Sequence, residues 1–91
     1  MPLQLAQVAG AAFNGNSFSK AIAIYQNIIL KFPHLSDPYY RIAYIYRAQG
    51  EYRKALVAID KAIETSFSEN VENNKYKQFQ AFILAKINNN N

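Results

Sequence analysis

The chain repeats itself at an interval of 34 residues, and that interval limits its folds more than any other property. Shifted by one period, Leu5 falls on Tyr39, Val8 on Ile42, Ala9 on Ala43 and Ala12 on Tyr46. Further along, Phe18 falls on Tyr52, Ala21 on Ala55, Ile22 on Leu56, Tyr25 on Ile59 and Ile29 on Ile63. Small or apolar residues meet small or apolar residues, while the polar ones between them vary. Such a pattern is the mark of stacked units that bury their faces against one another.

Within each copy the apolar spacing is helical. Leu5, Val8, Ala9 and Ala12 make one stripe, and Phe18, Ala21, Ile22, Tyr25, Ile28, Ile29 and Phe32 make another, in steps of three and four. Gly15-Asn16 interrupts the first pair of helices and Gly50 the second, since glycine takes a left-handed turn at a helix end without steric cost. Pro33 closes the second helix, and Asp37-Pro38 opens the third with an N-cap and a proline in its first turn. The predicted helices are 3–14, 17–32, 38–49, 52–66 and 70–87. Alanines at 9, 21, 43 and 55 let paired helices cross closely, with Tyr25, Tyr46 and Tyr52 filling the flanks.

A helix–turn–helix period of this length resembles the tetratricopeptide repeat. The second copy carries the resemblance best, in Tyr39, Ile42, Ala43, Tyr46, Gly50, Tyr52, Ala55, Ile59 and Ala62. The first copy follows with Leu5, Val8, Ala9, Ala12, Phe18, Ala21, Tyr25 and Pro33. Departures from the family pattern are Asn16 for the turn glycine, Ile28 for an alanine, and Phe67 where proline is usual. The resemblance implies an all-α fold, an α-solenoid of antiparallel helix–turn–helix repeats with about five helices in a right-handed superhelical stack. The expected domain is 2–87, with repeat 1 over about 2–35, repeat 2 over about 36–69, and a capping helix over about 70–87. Strict continuation of the period would put Lys77 where a small residue belongs. Three extra residues in the loop after Ser68 instead set Tyr76, Phe79, Gln80 and Ile83 against Tyr39, Ile42, Ala43 and Tyr46, and this register is preferred. The asparagines at 88–91 form a low-complexity tail with nothing to bury.

Little in the chain supports catalysis. There is no cysteine, and the single histidine, His34, sits in a loop, so no metal site, cofactor site or nucleophilic triad is expected. The three glycines are scattered and form no phosphate loop. No segment reaches the roughly 18 apolar residues of a membrane span, and no signal peptide is read at the N-terminus. A cytoplasmic, non-enzymatic chain is therefore expected.

Binding remains. In stacked hairpins the first helix of each pair lines the concave side. The offset from the core stripe predicts a peptide-binding groove formed by Phe13, Asn14, Tyr40, Arg41, Tyr44, Arg47 and Lys77. Aromatic rings interleaved with arginines suit another protein, as a peptide or helix with apolar anchors and acidic character. The first reading is thus a protein-interaction module, an adaptor or scaffold segment. A subset of the family grips acidic chaperone tails with Lys and Asn side chains, but the matching places here hold Ala6, Gly10 and Arg41, so that activity is not expected. The second reading is an RNA-binding helical repeat, prompted by the net charge of +4 and pI of 9.4. It ranks below protein binding, because the basic residues divide between inner and outer helices. The third is homo-oligomerisation through the first helix, whose residues 2–14 carry no charge although Leu3, Ala11 and Phe13 lie off its core stripe.

Overall fold

A computed structural model of the chain describes residues 17–89. These residues are all-helical, with no strand among them. The helices are α1 (Phe18–Lys31), α2 (Asp37–Ala48), α3 (Tyr52–Glu69) and α4 (Asn74–Asn89). They correspond to the last four predicted from the sequence. The first predicted helix, 3–14, lies outside the described residues, and so does Gly15-Asn16.

Each helix packs against the next in sequence, and the core divides into two clusters. One joins α1 to α2 through Ala21, Tyr25, Ile28, Ile42 and Ile45. The other joins α2, α3 and α4 through Ala43, Ala55, Ile59, Ala62, Tyr76, Phe79, Ile83 and Ile87. Tyr46 and Ala58 pack against both clusters and make the core continuous. Ala43, Ala55 and Ala62 are fully enclosed, as expected where helices approach with only methyl groups between them. Ile28, Ile59 and Ile83 are the largest apolar side chains completely removed from water. Each contributes roughly 1.5–3 kcal/mol.

Local chemistry explains the helix ends. Gly50 has φ of +76°, so the α2–α3 turn uses the left-handed conformation that glycine allows. The α1–α2 junction differs from expectation. Asp37 is the first residue of α2 rather than its N-cap, and Ser36 precedes the helix. The Asp37 carboxylate is instead held by Nε of Arg41 one turn later, at 3.2 Å. Helix α3 runs three residues beyond the predicted end because Phe67 occupies the place where a proline would have stopped it. It ends at Asn70, whose φ of 61° and ψ of 47° form a left-handed cap, while the Val71 amide donates to the Ser66 carbonyl at 3.1 Å. The Phe32 ring, assigned to the α1 stripe, is exposed, since the helix ends one residue earlier at Lys31.

The preferred register of the last helix agrees with the burial pattern. Tyr76, Phe79 and Ile83 face the core, Gln80 is half-buried, and Lys77 is exposed. Gln80 donates from Nε2 to Asp60 of α3 at 2.7 Å.

A buried polar knot fastens α4 to the rest. The Ser36 backbone N–H and hydroxyl both donate to Oε1 of Glu69, at 3.0 and 2.8 Å. With its one proton so committed, Ser36 Oγ accepts from the Tyr76 hydroxyl at 3.0 Å. The residue before α2, the end of α3 and the start of α4 are thus joined through Ser36. Glu69→Ala is expected to cost about 1–3 kcal/mol in chemical denaturation, because the enclosed Ser36 donors lose their acceptor. Glu64→Ala, which removes only an exposed pair with Lys61, is expected to change stability by less than about 0.5 kcal/mol.

Candidate functional site

Helix α2 places Tyr40, Tyr44 and Arg47 one above another, at spacings of four and three residues. Ile42 and Ile45 on its other side, and Ala43 beside the stripe, enter the core, so the stripe is fixed by packing around it. The stripe meets α4. The Tyr40 ring lies 5.1 Å from Tyr76 and 5.6 Å from Phe79, centroid to centroid, the second pair edge to face. Tyr44 lies 6.3 Å from Phe79. These separations fall within the range in which aromatic pairs attract through their quadrupoles.

Cations sit on the same rings. The Arg47 guanidinium carbon is 4.0 Å from the Phe82 centroid, 5.5 Å from Phe79 and 5.8 Å from Tyr44. Lys86 approaches Phe82 at 5.6 Å, and Lys75 approaches Tyr40 at 5.2 Å and Tyr76 at 5.6 Å. Each such contact contributes about 0.5–1 kcal/mol at an exposed site. Phe79 is buried, but Phe82 remains 38% and Tyr44 46% exposed. The α2–α4 seam is therefore an aromatic strip with accessible rings and positive charge along it.

Of the groove residues predicted from sequence, the structure brings Tyr40, Tyr44 and Arg47 together here. Arg41 turns away to Asp37. Burial works against its charge, but the Asp37 carboxylate, the hydrogen bond to it, and the nearby Tyr25 and Tyr40 outweigh that, so its pKa lies above the usual arginine value. Burial also raises the Tyr25 phenol; Arg41 opposes this and Asp37 adds to it. Lys77 stands apart from the seam, with its ammonium 5.8 Å from the Phe67 ring of α3. Phe13 and Asn14 lie outside the described residues.

Four seam residues were not singled out as groove-lining: Lys75, Phe79, Phe82 and Lys86. A signal for them existed. Phe82 and Lys86 are four residues apart, the spacing that puts a cation over a ring on one helix face; Lys75 and Phe79 share the spacing, though Lys75 settles on Tyr40 and Tyr76. Among the described residues no group of three or more His, Asp or Glu side chains is gathered as a metal would require. No described helix is long and apolar enough to cross a membrane.

Residues 36–66 match the family model described as tetratricopeptide repeat. A search of curated proteins found no match to the chain.

Proposed function

We propose, from the match of residues 36–66 to the tetratricopeptide repeat, that the chain is a non-catalytic protein-interaction module, an adaptor or scaffold segment that receives a peptide or helix along the α2–α4 seam. Repeats of this family generally mediate protein–protein interaction. The observation that carries the assignment to this face is the stacking of Arg47 on Phe82, with the ring and neighbouring Tyr44 still accessible. Rings and arginine combine large contact area with directional hydrogen bonding, the composition of interface hot spots. The domain limits proposed with this reading are a first repeat over about 2–35, a second over about 36–69 and a cap over about 70–87, in a cytoplasmic protein.

Arrangement of the cations supports protein over RNA as partner. Lys54 and Lys61 lie on α3 in pairs with Glu51 and Glu64, at 3.9 and 3.5 Å, while Arg47, Lys75 and Lys86 lie along the seam. They do not join into the continuous basic track that a phosphate backbone requires.

The test is a random peptide library displayed against the intact chain, with binding sites mapped by amide chemical shifts. Binders are expected to perturb α2 and α4, and their affinity to fall modestly between low and moderate salt, far less steeply than phosphate-driven binding. Arg47→Glu is expected to keep the helical fold while lowering stability by about 1–2 kcal/mol, because its contacts with Tyr44, Phe79 and Phe82 are lost. It should weaken an acidic binder by about tenfold or more, about 1.4 kcal/mol or more at 25 °C. Unchanged affinity in that variant would take Arg47 out of the site.

A further inference from the structure

We propose that Arg47 and Lys86, both seated on Phe82, form the acceptor for a carboxylate side chain of the bound peptide, and that the apolar residue next to that carboxylate lies on the exposed part of Phe82. This deepens the reading of the α2–α4 seam as a peptide site and rests on it.

The argument begins with the acids. The chain has six, all within the described residues. Asp37 holds Arg41. Glu51 pairs with Lys54 and Glu64 with Lys61. Asp60 accepts from Gln80, Glu69 accepts from Ser36, and Glu72 accepts from the backbone amides of Asn73 and Asn74. Every Asp and Glu side chain is thereby engaged, and among the described residues none is engaged with Arg47 or Lys86.

Those two cations nevertheless share one ring. They lie 4.0 and 5.6 Å from one ring centroid, so their charge centres are no more than about 10 Å apart. At that upper limit salt, with a screening length of about 8 Å, damps most of their repulsion, and what both cations lack is a counter-charge. The ring offers a quadrupole rather than a counter-charge, and so offsets only part of the cost. A carboxylate set beside the guanidinium and within reach of the flexible lysine would neutralise both, with the arginine supplying two parallel N–H donors. The other ring-stacked cations differ: Lys54 on Tyr46 pairs with Glu51, Lys75 lines a hollow with Asp37, Glu69 and Glu72, and Lys77 alone approaches Phe67. Among the described residues, Phe82 is the ring that two cations share with no acid paired to either.

The experiment reads the sequences and affinities of the displayed peptides. Binders that perturb α2 and α4 are expected to be enriched in Asp or Glu adjacent to a large apolar residue. Lys86→Glu should weaken the tightest of them at least tenfold with unchanged helicity. The Arg47→Glu, Lys86→Glu double variant should select Lys or Arg at the same peptide position. Lys20→Glu, an equal change of net charge on α1, should weaken binding by less than twofold. Binders that map to the seam without acidic enrichment, or that respond equally to Lys20→Glu and Lys86→Glu, would overturn the carboxylate acceptor and leave the peptide site standing. A library that yields no binder on α2 and α4 would overturn both.

Discussion

Ala55→Arg is expected to abolish the folded state, seen as collapse of the far-UV helical signal and of any cooperative thermal transition. Ala55 has no exposed surface and shares its cluster with Ala43, Ile59 and Ala62. A guanidinium placed there would have to displace the helix crossing or remain buried without a carboxylate. Overpacking alone costs about 1–3 kcal/mol, and an uncompensated buried charge adds several more. A domain of this size has roughly 5–10 kcal/mol of total stability to lose. The control is the same substitution at Ala81, an exposed alanine of α4, which is expected to leave helicity and melting nearly unchanged. A folded Ala55→Arg variant would mean that α2 and α3 do not cross where the alanines place them.

Much of that crossing was legible in the sequence, because repetition at a fixed interval and helical spacing are two independent signals that select the same residues. Both pick Ala21 and Tyr25 on α1, Ile42 and Ala43 on α2, and Ala55 and Ile59 on α3, and all six are buried. Ile45 escaped them. Helix α2 is covered by α1 on one side and by α3 on another, so its buried arc is wider than a single stripe, and Ile45 closes the α1 side. Ser36 was also missed as a core residue, since its burial depends on a carboxylate 33 residues away. The candidate site shows the same division. Tyr40, Tyr44 and Arg47 follow from the periodicity of one helix. Their partners Phe79 and Phe82 depend on how α4 is rotated against α2, which is decided by tertiary packing and by the three extra residues before it, which lengthen α3 rather than the loop as expected.

That rotation supports the second large prediction. Ile83→Ala is expected to destabilise the domain by about 2–5 kcal/mol, as for other enclosed aliphatic side chains cut back to a methyl. Leu84→Ala, the adjacent residue, should cost less than about 1 kcal/mol, because Leu84 is 41% exposed whereas Ile83 is fully enclosed. Denaturant midpoints at unchanged slope would measure both. The pair is sensitive to register because a helix turns about 100° per residue, so a shift of one position exchanges their roles. It also bears on the seam. Ile83 is the neighbour of Phe82 and fixes the helix face from which Phe82 meets Arg47. If Leu84→Ala proved the costlier change, α4 would be rotated toward that side. Phe82 would then leave the Arg47 guanidinium, and the inferred recognition surface would have to be sought on another part of the molecule.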